Sequence, residues 1–300
     1  MKKHFSWALL FAAFAILSLA PNLQAAVDET RGWQIELRKI SLNLTSTQVK
    51  HADEYKDFSN SRLTADTQTL IQGYFDFGTD YHAEKYLWSN TLLMQYGKST
   101  IKPVNGVVTR SENVDSITLS TDYAYKLWQA NTLLGGFYSG PFANASYDTE
   151  FTSQQTSPRK KTLRGKAGYK FFDGKFIKNL YAAGVFEEDF TYPDNSFNFA
   201  LEAGMKIEQP IREGVKAVYT GTFRDYMHYG VSRETNLDYE LELDARMEVL
   251  VYKNLAISPF VNYYIAQAKY FGDLGQNLYM GISFSFSTIF KKAKSVNDAN

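Results

Sequence analysis

The chain has 300 residues, 16% of them aromatic, with 21 Tyr and 22 Phe, and its 32 basic and 32 acidic side chains cancel. It has no cysteine, which excludes disulfides, thiol chemistry, cysteine metal sites and a lipid-modified N-terminal cysteine. The charge balance excludes the basic field of a nucleic-acid binder, and the slightly polar mean hydropathy is not that of a helical membrane protein.

Residues 1–25 have the form of a cleaved secretory signal. Lys2 and Lys3 open it, an apolar core of 13 residues spans 7–19, Pro21 follows, and Leu23-Gln24-Ala25 ends on a small residue. The core is too short to span a bilayer. Cleavage removes two lysines and no acid, leaving 30 basic against 32 acidic side chains, a net of −2. A short lead-in, 26–33, precedes the first patterned segment.

Twelve alternating runs follow, at about 34–47, 62–78, 85–97, 114–128, 131–139, 161–172, 178–191, 196–209, 215–229, 235–252, 255–270 and 276–290. The tenth is the clearest. Leu237, Tyr239, Leu241, Leu243, Ala245, Met247, Val249 and Val251 occupy one parity; Asp238, Glu240, Glu242, Asp244, Arg246 and Glu248 occupy the other. A strand sends successive side chains to opposite faces, so the run has one apolar and one charged face. As a helix it would scatter the charges around the cylinder. It is also much longer than the ~5–6 residues of a soluble strand, and long enough for the ~9–11 that cross a membrane. In the sixth run Leu163, Ala167, Tyr169 and Phe171 oppose Arg164, Lys166 and Lys170; in the eighth Phe197, Phe199, Leu201 and Ala203 oppose Asn198, Glu202 and Lys206. Pro259 is the one proline inside a run, a place for a bulge or a missing ladder bond.

The connections alternate. Those at 48–61, 98–113 and 140–160 are long; those at 128–131, 173–175, 210–214 and 253–254 are tight. An even-stranded outer-membrane barrel has short periplasmic turns and long outer loops. The fold class is therefore all-β: a single antiparallel up-and-down transmembrane β-barrel of about 12 strands over 34–290, with a polar tail at 291–300. Twelve strands with apolar residues inside would enclose a void, since about eight already give an interior that side chains fill. Turned outward, the apolar face meets lipid, and closure removes the sheet edges that hydrocarbon cannot tolerate. A soluble periplasmic barrel around an apolar ligand and a two-sheet sandwich are the alternatives.

The charged parity then lines the lumen: Arg164, Lys166, Lys170, Glu202, Lys206, Asp238, Glu242, Asp244 and Arg246. Folding the ninth run on the tenth about Ser232 sets Arg224 opposite Glu240 and Lys216 opposite Glu248, two expected charge pairs. Paired interior charges point to a narrow pore for ions or a small solute, or to a structural envelope protein.

The last run carries Tyr279-x-Gly281-x-x-Phe284-x-Phe286, which resembles the closing-strand signal read by the barrel-assembly insertase. With Trp88-Ser89-Asn90 leading to Tyr96-Gly97, Asp122-Tyr123-Ala124-Tyr125-Lys126 and Gly168-Tyr169-Lys170, the mature chain resembles the salt-induced outer membrane protein family. That resemblance implies a barrel in the outer membrane of a Gram-negative bacterium, partnered by membrane lipids and, during biogenesis, by periplasmic chaperones and the insertase. It implies no cofactor and no catalytic residues, and the chain departs from the common pattern by running past Phe286.

No P-loop, dinucleotide fingerprint, zinc helix or nucleophile elbow occurs, and neither a metal site nor an enzyme is expected. The enzymatic alternative is a lipid hydrolase with Ser232 beside His51 or His228. Glu187, Glu188, Asp189 and Asp194 gather at one outer tip, where oxygen-rich loops hold calcium or stay solvated. The 140–160 loop, with Phe142, Tyr147, Phe151 and Arg159-Lys160-Lys161, is read as a plain mobile loop, as a segment folded inward to constrict the lumen, or as one facing a partner or anionic lipopolysaccharide.

Overall fold

The structure, a computed structural model, describes residues 30–51, 54–55, 68–101, 109–131, 133–152, 159–270 and 272–295. The leader at 1–25 lies outside them. Among the described residues the strands are β1 (Thr30–Lys50), β2 (Gln68–His82), β3 (Tyr86–Ile101), β4 (Thr109–Tyr125), β5 (Trp128–Ala130), β6 (Phe137–Thr149), β7 (Lys161–Phe172), β8 (Ile177–Asp189), β9 (Ser196–Arg212), β10 (Val215–Tyr229), β11 (Leu237–Tyr252), β12 (Leu255–Ala268), β13 (Leu274–Lys291) and β14 (Lys294–Ser295).

All neighbours pair antiparallel, and β13 closes on β1 from Ile35↔Lys291 to Lys50↔Gln276. β5 continues β4 along β6 beyond a break at Lys126 and Leu127, and β14 lies along the start of β1. Twelve long strands thus form a closed ring with no free edge. The end that carries the turns at 83–85, 213–214 and 253–254 is called inner here, and the end with the longer connections outer.

Three departures from the sequence reading have local causes. The fifth barrel strand is Phe137–Thr149 rather than 131–139, so the expected 140–160 loop is strand as far as Thr149. Gly140-Pro141 reads as a turn, yet Pro141 falls beside the β4–β5 break, a place where a strand tolerates proline. The second strand runs to His82, four residues past its expected end. The first starts at Thr30, inside the segment taken as lead-in, and the tail is engaged there through Thr30↔Ser295 and Arg31↔Lys294. Pro259 does sit within β12: pairing with β11 lapses between Arg246↔Phe260 and Val249↔Ile257, where proline has no N–H to give.

The wall sorts its side chains by parity. Ile40, Leu42 and Leu44 are 43–49% exposed on the outside of β1, while Ser41, Asn43, Thr45 and Thr47 between them are buried inside. Leu119, Leu163, Leu201, Met247, Val261 and Ile282 extend the outer apolar belt around the ring. Aromatic side chains border the belt. At the inner end Trp33 meets Tyr81 (5.1 Å between ring centroids) and Trp88 (5.7 Å), and Tyr86 stacks on Tyr123 (5.1 Å). Near the outer end Phe186 meets Phe199 (5.1 Å) and Phe223 meets Tyr239 (6.1 Å). On β11 the 13 steps from Tyr239 to Tyr252 rise about 34 Å at ~3.4 Å per residue and ~40° tilt, more than the ~25 Å apolar band of such barrels.

Candidate functional site

The residues that carry chemistry lie inside the ring. Glu202 on β9 is the centre, its side chain fully buried. Its Oε1 accepts from Lys166 Nζ on β7 (2.5 Å) and from the Tyr181 hydroxyl on β8 (2.5 Å). Its Oε2 accepts from Arg224 Nε (2.8 Å) and Nη2 (2.5 Å) on β10. Arg224 turns its remaining nitrogen, Nη1, to Glu240 Oε1 on β11 (2.7 Å), and the Tyr264 hydroxyl on β12 donates to Glu240 Oε2 (2.7 Å). One relay of charge-assisted bonds therefore crosses β7, β8, β9, β10, β11 and β12.

Nearer the outer end, Arg164 donates to Glu187 Oε2 (2.6 Å) and pairs with Asp148, whose other oxygen accepts from the Thr118 hydroxyl (2.7 Å). At the inner end, Lys170 pairs with Asp122 and lies over the rings of Phe142 and Phe172, each 5.1 Å away. In the inner half, Lys216 Nζ sits 3.0 Å from Glu208 and 3.2 Å from Glu248, and Lys206 lies 3.7 Å from Glu208. Arg246 folds onto Asp244 (2.8 Å), and Asn262 donates to Glu242 (3.0 Å). Asp238 begins the same row at the outer end of β11.

The cross-strand register places Arg224 opposite Glu240 and Lys216 opposite Glu248. Each cation has a further carboxylate on β9, Glu202 for Arg224 and Glu208 for Lys216. Parity alone does not reveal these third members, because they arrive from the other neighbouring strand.

A second cluster has no counterpart in the sequence reading. A bulge between Leu37 and Lys39 lets two consecutive basic side chains point inward. Arg38 grips Asp80 through Nη2 (2.8 Å to each oxygen), Glu36 through Nε (2.9 Å) and the Thr91 hydroxyl through Nη1 (2.8 Å). Gly78 leaves the space: a Cβ there would stand 2.3 Å from Arg38 Cζ. Lys39 reaches Glu248 (3.8 Å) and links β1 to β11. The signal available in sequence was Arg38-Lys39 adjacency within an alternating run, which a regular strand cannot place on one face.

The lumen is packed around the relay, whereas the inward side chains of Lys206 and Lys216 stay 46% and 41% exposed. Tyr264 and Phe172 are 2% exposed, and Asn277, Ser258 and Ser283 are 0% exposed, although all face inward. At the outer mouth Tyr55, from the β1–β2 connection, is also 0% exposed. It packs on Tyr264, Ala266 and Ala268, and its hydroxyl donates to the Asp273 carbonyl (2.7 Å) and accepts from Ala268 N (3.1 Å). The constricting contact comes from this connection, whereas Phe142 lies inside the wall against Tyr181, at 5.6 Å, and Phe151 lies outside it.

The other candidates separate. Ser232 Oγ pairs with the Tyr270 hydroxyl, and His51 Nδ1 meets the Leu274 carbonyl (2.8 Å), so both are engaged elsewhere than with each other. The acidic tip is divided, with Glu187 inward on Arg164 and Asp189 accepting from Thr191 N (2.9 Å). Among the described residues no group of carboxylates and histidines has metal-binding geometry. On β13, Phe284 is 47% exposed on the outer face and Tyr279 is buried inside, with Gly281 paired to Thr45 and Phe286 to Ile40 across the closing seam.

No protein-family model matches the chain, nor does any curated protein. Among solved structures it is similar to an outer membrane channel from Pseudomonas putida F1, with 9% identity over 90% of this chain and 100% of that one and a TM-score of 0.47. It is similar also to the translocator domain of the autotransporter NalP from Neisseria meningitidis, with 9% identity over 94% of each chain and a TM-score of 0.40. The transport unit of the autotransporter AIDA-I from Escherichia coli aligns at 12% identity over 93% of this chain and 98% of that one, with a TM-score of 0.38. The barrel itself rests on the strand pairing described above.

Proposed function

We propose that the protein is an integral outer-membrane β-barrel of a Gram-negative envelope that acts as a narrow pore or as a structural element, not as an enzyme. One observation carries this reading: the wall is apolar outside, between aromatic borders, and ion-paired inside. A closed barrel is one of only two backbone arrangements that satisfy every peptide group in hydrocarbon. The belt of exposed Leu, Ile and Phe is far larger than soluble proteins leave uncovered, which argues against a soluble barrel built around an apolar ligand. The short echoes of the salt-induced outer membrane protein family support the same placement. Membrane lipids are its standing partners, with the insertase and periplasmic chaperones during biogenesis.

The relay from Lys166 to Glu240 stands across the lumen, so only small ions or a small solute pass without rearrangement. Comparing unboiled and boiled outer-membrane fractions on a gel tests the placement, because a closed barrel resists detergent and changes mobility only on heating. A heat-dependent shift is expected. An unshifted band released by osmotic shock refutes the placement. Planar-bilayer recording then separates the two roles: small steps identify a pore, and a silent bilayer with heat-shifting protein identifies a structural barrel.

A further inference from the structure

We propose that the outward face of β12, β13, β1, β2 and β3 is a groove for one acyl chain of an anionic membrane lipid, with the lipid's phosphate on the basic loop at its outer end. The proposal rests on the membrane placement above.

This face carries an open groove of about 790 Å3, in the ~300–1,000 Å3 range of ligand clefts. The register shows its floor. One row runs Leu255, Phe286, Ile40, Phe75, Met94 across five strands. The adjacent row carries Ile257, Phe284 and Leu42 and then meets Gly73, where the side chain is missing. A Cβ at Gly73 would meet only the Tyr96 carbonyl oxygen, at 3.8 Å. The glycine therefore keeps the groove open for no steric reason of the barrel's own. Four inter-strand steps of ~4.8 Å give a length of about 19 Å, beside the ~15 Å of one leaflet's hydrocarbon. On the inner side of β12 and β13 stand Ala256, Ser258, Ser283 and Ser285, all short, so nothing within props this wall outward.

The outer end identifies the occupant. Phe151 closes the groove against Tyr96 (6.0 Å, edge-on). Arg159 Nη2 donates to the Phe151 carbonyl (3.0 Å), which holds an exposed guanidinium beside the opening, and Lys161, two residues on, is exposed as well. The acids nearby are occupied. Asp115 accepts from Phe151 N (2.7 Å) and Thr152 N (3.0 Å), and Glu150 accepts from Lys160 N (2.9 Å). Burial also pushes the Glu150 carboxyl above its usual range. An apolar trench that opens on cations in a lipid-facing wall fits a chain with an anionic head, whereas a second barrel would need an apolar ridge to enter the trench.

The test is native mass spectrometry of the mature barrel extracted from its own membrane in mild detergent. Gly73→Leu fills the groove, and Gly165→Leu is the matched control at another outward glycine with open space. A one-to-one adduct of a phosphate-bearing lipid is expected on the wild type and on Gly165→Leu, reduced at least about tenfold in Gly73→Leu. The adduct mass separates a phospholipid from a glycolipid. Arg159→Gln with Lys161→Gln should keep the groove but lose the preference for added phosphatidylglycerol over phosphatidylethanolamine. Wild type without an adduct, equal adducts on both leucine variants, or a lipid-free dimer overturns the proposal. If Gly73→Leu loses its heat shift, a phospholipid with a photoactivatable acyl chain is used on the wild type. Cross-links confined to the strands around Leu42 and Phe284 support the groove, and cross-links spread evenly to Leu119 and Leu163 overturn it. A heat-shifting barrel without lipid defeats the groove alone; loss of the heat shift in the wild type defeats the membrane placement.

Discussion

Replacing Glu202 with Gln keeps the shape of the central relay and removes its charge. Glu202 is the carboxylate that Lys166 holds at 2.5 Å, whereas Arg224 keeps Glu240 at 2.7 Å. The ammonium of Lys166 is thus the orphaned group, 18% exposed and left with the Tyr181 ring at 5.8 Å. A pair of unit charges at 4 Å is attracted by roughly 4 kcal/mol at an effective dielectric constant of ~20. Breaking a buried pair from one side costs about 3–5 kcal/mol, because the survivor stays desolvated. The same change in a wet channel would cost ~0–1 kcal/mol, the worth of an exposed pair. Urea unfolding of the barrel in vesicles, followed by the heat-shifted band, reads the difference. A loss of about 4 kcal/mol that Lys166→Met largely restores in the Glu202→Gln background marks a packed lumen. A loss below about 1 kcal/mol, or a double variant no better than the single, refutes the assignment of this cluster as a dry bar across the barrel. The single variant should also raise conductance and favour anions, since one positive charge is left uncompensated.

The charge swap of Arg224 and Glu240 should recover less than half of the loss caused by Arg224→Glu alone, because the carboxylate newly placed on β10 then faces Glu202; full recovery in a double-mutant cycle would show that Glu202 is not a partner. Tyr55→Phe should cost about 1 kcal/mol through its lost hydrogen bonds, and Tyr55→Ala about 3–5 kcal/mol by the cost of emptying a buried aromatic site, both read by urea midpoint. Identical midpoints for Tyr55→Ala and wild type would place that side chain outside the mouth. The tryptophans beyond residue 25 are Trp33, Trp88 and Trp128, all at the inner end. Lipids brominated near the headgroup should quench their emission more than lipids brominated at the chain ends; the opposite order would place the inner aromatic border in the bilayer centre.

Much of the barrel was legible because strand parity is a local property. The alternation of Leu237–Tyr252 survives any tertiary arrangement, and twelve such runs with alternating short and long connections leave few ways to close a sheet. Even the pairing of Arg224 with Glu240 needs only the turn between two adjacent strands. Parity fails wherever one residue is added or a breaker is tolerated. The bulge at Arg38 reverses the faces of β1 midway, and the break at Lys126 and Leu127 accepts Gly140-Pro141 inside β6. Both are settled by neighbouring strands that the local pattern does not contain. The choice of third partners is likewise a matter of stagger and closure. Lys166 reaches Glu202 across β8, Lys39 reaches Glu248 across the closing seam, and Tyr55 drops onto β12. A strand's own residues determine which face it shows; which charges meet inside, and where the outer wall hollows at Gly73, is decided only when the last strand finds the first.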